Sequence, residues 1–325
     1  MCKISVPTNV RLHAARHFLS SLKFFPDAEE VTLELNPKWM HIEPFGLAVY
    51  AAWADWHKQK GIKVHIDDPG SRGDFAWRMR LFDFVDTTYE PERQEHEEAG
   101  RFMPLRRVNN SLDIRDVVAN VSALLHLQDN PESLAAVQYC MSELLRNVVE
   151  HSDSPGGAFA CAHNYTNASP SRVSIGIADS GIGIAQHLSQ THAQAQQSDR
   201  AALRLAMQPG VTGARPGVYG TPDNAGAGLF ITRSIAKGTG GYYLLASGDA
   251  CFRLRRSRTQ EGQAELFIDP AFDRHDMWTL PQPWRGTVVS MEIRTDQIEE
   301  FDSYFEWIRQ YIPRRDTARP RIRFT

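Results

Sequence analysis

Three short segments in the second half of the chain combine acidic, amide and glycine residues at close spacing. They are Glu143-Leu-Leu-Arg-Asn147, Asp179-Ser-Gly-Ile-Gly183 and Gly226-Ala-Gly228-Leu229. Residues four apart share one face of a helix, so Glu143, Asn147 and His151 would form a single polar stripe. An amide oxygen is a suitable Mg2+ ligand, and an acid one turn away can orient or deprotonate a water molecule or a hydroxyl group. The first segment therefore fits metal-assisted chemistry.

The second and third segments fit the binding of a flat, anionic ligand. Asp179 follows an apolar run, and a carboxylate there can accept a hydrogen bond from an amine such as that of adenine. Gly226 and Gly228 precede a predicted helix, whose first backbone N–H groups form an anion site. Each segment alone also has a purely structural interpretation: an exposed helix face, a turn that begins with aspartate, or an ordinary helix start. Together, and with Gly286-Thr287 further on, they favour a pocket for ATP.

The order and spacing of these segments resemble the GHKL superfamily of ATPases, which includes histidine kinases, anti-sigma-factor kinases and type II topoisomerases. The segment 143–151 is similar to the N box, 179–183 to the G1 box, 224–230 to the G2 box, and Gly286-Thr287 to the late threonine motif. The resemblance covers residues 110–295. It implies an α/β (α+β) fold of the Bergerat type, a two-layer sandwich of helices on a mixed, mostly antiparallel sheet.

The resemblance also implies a role for each motif residue. Glu143 would be the catalytic base or would position water, Asn147 would bind Mg2+, and Asp179 would read the adenine amine. Thr287 would support the adenine directly or through water. The other expected contacts with the nucleotide are Gly181, Gly183, Gly226, Gly228 and Leu229. For His151, a functional role and a packing role both stay open.

Hydrophobic periodicity predicts the elements that position these residues. Helices are expected over 112–128, 131–151 and 229–236, and a strand over 173–177 leads into Asp179. Further strands are predicted over 242–246, 251–254, 264–268 and 287–293. The polar and glycine-rich stretch 185–225 is expected to be a loop that reorders around a ligand, with Arg204 and Arg215 as candidate phosphate contacts.

The N-terminal region predicts a small α/β unit, with a strand over 31–35, a helix over 44–60 and a strand over 62–66. The helix entry Ile42-Glu-Pro-Phe-Gly-Leu47 resembles the STAS domain of anti-sigma-factor antagonists. That family can carry a phosphorylated serine or threonine at this position, but the residues 40–44 include neither. The resemblance therefore implies a docking or sensing module.

Length and composition set the domain organisation. A chain of 325 residues accommodates two domains, and the acidic, proline-containing segment 90–98 should lie on the outside between them. We expect residues 1–100 to form the STAS-like partner or sensing domain and residues 101–300 the ATP-binding domain. Residues 301–325 would form a C-terminal helix and a basic tail.

Composition argues against several classes of partner. A formal charge of −3 gives no general attraction to nucleic acid or to an anionic membrane, and the most apolar stretch, 45–53, is too short to span a membrane. The four cysteines are far apart, which favours neither a zinc site nor disulfides and suggests the cytoplasm. A homodimer remains open.

The sequence therefore predicts an ATP-Mg-binding regulatory protein that transfers a phosphoryl group to a protein partner or controls that partner. An enzyme, either a protein kinase or an ATPase, is favoured. Two alternatives stay open: hydrolysis used as a conformational switch, and a non-catalytic module that binds nucleotide. The N-terminal domain is one place where that partner could bind.

Overall fold

The computed structural model describes residues 2–36, 41–67, 73–91, 100–126, 131–211, 228–256 and 267–295. Over these ranges the fold is mixed α/β, with a five-stranded antiparallel sheet, two small parallel sheets and eight α-helices. The expectation of a mostly antiparallel sheet with helices is confirmed. No helix within the described ranges combines the length and the apolar character needed to cross a membrane.

The N-terminal part contains a three-stranded and a two-stranded parallel sheet. Its elements are β1 (Cys2–Ser5), β2 (Asn9–Val10), α1 (Ala15–Ser21), β3 (Glu30–Glu34), β4 (His41–Ile42), α2 (Pro44–Gln59), β5 (Lys63–Asp67) and α3 (Gly73–Arg78). The strand orders are β1-β3-β5 and β2-β4. The predicted strand, helix and strand correspond to β3, α2 and β5, with ends that differ by at most one residue.

The second part is built on the antiparallel sheet, in the order β6-β7-β8-β10-β9. Its elements are β6 (Phe102–Val108), α4 (Ser111–Leu125), α5 (Pro131–His151), β7 (Ala158–Tyr165), β8 (Arg172–Asp179), α6 (Gly183–Leu188), α7 (Asp199–Ala206), α8 (Gly228–Gly238), β9 (Tyr243–Leu254) and β10 (His275–Arg294).

The four strands predicted after residue 240 differ from the structure. The strands expected over 242–246 and 251–254 form the single strand β9, and β10 begins at His275 rather than at residue 287. Residues 267 and 268 are not in a strand, and the rest of the strand predicted over 264–268 lies outside the described residues.

Both faces of the antiparallel sheet are covered. In β7, Ala158, Ala160 and Ala162 point into one apolar cluster with α4, α5 and α8, whereas Phe159 and Cys161 point into another with α2. This alternation follows from the two-residue repeat of a strand. The sheet therefore lies between two helical layers, because a helix from the N-terminal part covers its second face.

Helix α2 fits this position because its residues as far as Ala54 are apolar on every side. Every residue from Pro44 to His57 is buried, which is expected for a helix enclosed by other elements. Strand β8 allows a close approach, since a Cβ atom on Gly176 would lie 2.4 Å from the carbonyl oxygen of Pro44. The two parts of the chain thus share an apolar cluster, while the predicted boundary near residue 100 stays a prediction.

A buried ion-pair network fixes the start of α2 on the sheet. The carboxylate of Glu43, 1% exposed, accepts the backbone N–H of Leu12 at 3.1 Å and the guanidinium of Arg172 at 3.2 Å. Arg172 also lies 3.3 Å from Glu292 of β10. These charges pair with one another, as buried charges must, and they join the N-terminal part to β8 and β10.

The segment expected to be a loop, 185–225, is partly helical. Its described part includes α7, which begins after Ser198, whose hydroxyl accepts the N–H of Ala201, and which buries Ala202, Leu203 and Ala206. The cap and the buried apolar face both stabilise this short amphipathic helix. Residues 212–227, which include Gly226 and Arg215, lie outside the described residues.

Candidate functional site

A cavity of about 110 Å³ lies between α5, α6, α7, α8 and β10, beside the end of β8. Five of the predicted site residues line it: Asn147, Asp179, Gly183, Leu229 and Thr287. They come from four separate segments of the sequence. The other lining residues are mainly apolar: Leu144, Val148, Ile184, Leu188, Ala206, Val211 and Val289, with Ser152 and His187.

Asp179 is the only residue with a carboxyl group among the described residues that line this cavity. It is fully buried, and its Oδ1 accepts the N–H of Gly181 at 2.8 Å while its Oδ2 accepts the N–H of Thr287 at 3.2 Å. Burial raises the pKa of this carboxyl group to about 7, against the opposing effect of the two N–H donors. The group is therefore held in a fixed orientation and titrates near neutral pH.

Two glycines make room for this arrangement. Gly286, which precedes Thr287, has a φ of +90°, and a Cβ atom there would lie 2.4 Å from Oδ1 of Asp179. Gly183 has a φ of +79° at the start of α6. Since only glycine adopts such angles without strain, the turn after β8 and the chain before Thr287 can both approach the carboxylate.

A serine on β9 ties these two glycine segments together. The hydroxyl of Ser247 accepts the N–H of Ile184 at 2.9 Å and donates to the carbonyl oxygen of Gly286 at 2.7 Å. It satisfies one of the free donors at the N-terminus of α6. The wall of the cavity is therefore braced by hydrogen bonds from a third strand.

Helix α5 places Asn147 at the rim of the cavity, where its side chain is exposed. Glu143 lies one turn earlier but is not among the lining residues. It is 7% exposed and its Oε1 accepts a hydrogen bond from Arg146 at 2.6 Å. Gly228, the first residue of α8, packs beside it, since a Cβ on Gly228 would lie 3.1 Å from the Cβ of Glu143.

The remaining predicted residues are placed differently. Gly181 lies behind the cavity against the carbonyl oxygen of Ser152, where a Cβ atom would approach within 1.9 Å, and it contributes through its N–H to Asp179. Gly226 and the side chain of His151 lie outside the described part of the structure. Arg204 is exposed on α7.

The sequence motifs do not mark most of the apolar wall of the cavity. Leu144 and Val148 lie beside Asn147 on α5, whereas Ile184 and Leu188 lie four residues apart on α6. A signal was present for the second pair, since apolar residues at this spacing just after Gly183 mark the inner face of a short helix.

Comparisons with known proteins identify no relative. No protein-family model matches the chain, and neither a curated protein nor a solved structure matches it. The function must therefore be inferred from the site itself.

Proposed function

We propose that the protein binds ATP together with Mg2+ in this cavity and is a GHKL-type regulator that acts on a protein partner by phosphoryl transfer. The Bergerat-type assignment of residues 101–300 and the STAS-like assignment of residues 1–100 belong to this proposal. The observation that carries it is the cavity, which gathers Asn147, Asp179, Gly183, Leu229 and Thr287 from four distant segments.

The cavity suits a purine base. Each carboxylate oxygen of Asp179 accepts one backbone N–H and keeps a second lone pair, with which it can accept the exocyclic amine of adenine. Apolar side chains from α5 and α6 offer surfaces on which a flat ring can pack. Such a site favours adenine over guanine, which has a carbonyl oxygen where adenine has the amine.

The rim of the cavity suits the phosphates. Asn147 is exposed there and would offer one amide oxygen to Mg2+, which usually keeps several water ligands and shares phosphate oxygens. The described residues contain no group of three or more His, Cys, Asp or Glu placed to hold a metal ion, so phosphate and water would complete the ligand set. The bound ion would neutralise charge on the phosphates during transfer.

Glu143 is the proposed base. It lies one helical turn from Asn147, and its carboxylate accepts a hydrogen bond from Arg146, whose side chain is partly exposed. From there it would orient a water molecule or accept a proton from an acceptor hydroxyl group at the rim. Binding and turnover should therefore depend on different residues.

The test is calorimetric titration with ATP and Mg2+, followed by analysis of the products, on the wild type and on Asn147→Ala and Glu143→Ala. We expect Asn147→Ala to lose Mg-dependent affinity, and Glu143→Ala to bind but to lose turnover. Asn120→Ala is the matched control, because the amide of Asn120 bonds to the carbonyl oxygen of Asp116 within α4. A wild type that does not bind ATP would refute the proposal.

A further inference from the structure

An irregular part of β10 and the residue that follows it donate hydrogen bonds to the backbone and to the side chain of Asp179. The indole N–H of Trp284 donates to the carbonyl oxygen of Asp179 at 3.1 Å, and the N–H of Thr287 donates to its carboxylate at 3.2 Å. Pairing with β9 shifts register twice in this region, between Thr279 and Trp284 and between Trp284 and Thr287. We call residues 280–286 the β10 bend.

The N-terminal part of the chain holds the β10 bend from the other side. The side-chain amide of Gln282 accepts the N–H of Phe24 at 3.0 Å and donates to the carbonyl oxygen of Phe24 at 3.4 Å. The ring of Phe24 packs on Trp284, with centroids 5.3 Å apart. Two hydrogen bonds and one ring contact thus join the segment after α1 to the bend.

Phe24 is in turn anchored on the C-terminal end of α2. Its ring meets Trp56 edge to face at 4.9 Å, and the guanidinium of Arg285 lies 5.0 Å from the Trp56 ring. His57 is fully buried beside them, and its Nε2 accepts the N–H of Phe25 at 3.1 Å. Burial lowers the pKa of His57 to about 4, so the ring is neutral at physiological pH and keeps this acceptor.

We propose that Trp284 is a positioning residue for Asp179, and that Phe24 and Gln282 make this positioning depend on the N-terminal part. The inference rests on the proposed function, in which Asp179 reads adenine. A partner that displaces Phe24 or the end of α2 would release the β10 bend, free the backbone of Asp179 and weaken ATP binding. By linkage, ATP would weaken the binding of that partner by the same factor.

Trp278 is the control position that distinguishes a positioning role of Trp284 from a packing role. It lies on the same strand, is 4% exposed like Trp284, and belongs to the same apolar cluster. Its indole N–H, however, has no hydrogen-bond partner within the described structure. Phenylalanine at either position removes similar apolar surface, but only the change at Trp284 removes a donor from Asp179.

The first arm of the test needs no nucleotide. Hydrogen exchange of the Gly181 and Thr287 amides, which donate to Asp179, is compared in Trp284→Phe, Gln282→Met and Trp278→Phe. One neutral hydrogen bond corresponds to about a threefold to tenfold change in an opening equilibrium. We expect exchange to accelerate by that factor in Trp284→Phe and Gln282→Met, and to change little in Trp278→Phe.

The second arm compares affinities for ATP and GTP. Trp284→Phe should weaken ATP by about threefold to tenfold and GTP much less, because adenine would present its 6-amine to Asp179 where guanine presents a carbonyl oxygen. Equal effects of Trp284→Phe and Trp278→Phe in both arms would overturn the inference and leave Trp284 a packing residue. If the wild type binds no nucleotide, the proposed function fails, and the exchange rates alone decide whether the N-terminal part controls Asp179.

Discussion

A carboxyl group that titrates near neutral pH makes ligand binding sensitive to pH. Burial raises the pKa of Asp179 to about 7, and the ionised form is the one that accepts hydrogen bonds with both oxygens. If only the ionised form binds adenine, the apparent affinity scales with the ionised fraction. Full affinity is therefore expected above the pKa, with progressive loss as the pH falls through it.

The prediction is that the apparent Kd for ATP rises about tenfold between pH 8 and pH 6. Titration calorimetry across this range measures it. The terminal phosphate of ATP also ionises in this region. Asp179→Asn is therefore the reference, since it retains the titration of the ligand and of the other protein groups and removes only that of Asp179. Parallel pH profiles for the two proteins would show that Asp179 does not control binding.

The close contact between α2 and β8 leaves no room for a side chain at Gly176, and a substitution there tests the contact. A methyl group added at Gly176 would meet the backbone carbonyl of Pro44, which cannot rotate away as a side chain can. We expect Gly176→Ala to lower the free energy of unfolding by about 1–3 kcal/mol in urea denaturation.

Ser174 provides the control on the same face of β8. It is fully buried and its hydroxyl has no hydrogen-bond partner in the described structure, so Ser174→Ala should be close to neutral or slightly stabilising. A Gly176→Ala protein as stable as Ser174→Ala would mean that α2 is free to move away from the sheet.

The elements that the sequence predicted well are those with a clear period and clear ends. Helix α5 has the predicted ends, and α2 differs by one residue. Strand β7 was missed because it is buried on both faces and rich in alanine, so neither alternation nor β-propensity marks it. Strand β6 was missed because of Pro104, which lies at an irregularity of an edge strand, where proline is tolerated.

The polar residues of the candidate site could be predicted from the sequence. The apolar wall of the cavity and the β10 bend could not. Local motifs marked Asn147, Asp179 and Thr287 because their residue types and spacing are unusual. The β10 bend left no such signal, since the contacts of Trp284 with Asp179 and of Gln282 with Phe24 join residues 105 and 258 positions apart. Contacts this distant arise from the tertiary fold, which no local pattern encodes.

At the scale of the whole molecule, the shared apolar cluster predicts cooperative unfolding. Phe159, Cys161, Ala178 and Trp284 pack with residues of α1 and α2, so removal of the N-terminal part would expose one face of the sheet. We expect a single calorimetric transition whose enthalpy equals the van't Hoff value. Two separate transitions would instead support two domains that fold independently.

The reactivity of the Cys161 thiol reports on the contact between the sheet and α2. Its thiol donates to the carbonyl oxygen of Pro44 at 3.3 Å, and burial raises the pKa of the thiol well above its ordinary value. Only a thiolate reacts readily with alkylating reagents, and the closed interface excludes both the reagent and the ionised form. Alkylation of this sulfur therefore requires α2 to separate from the sheet, and its rate in the native protein measures how often this interface opens.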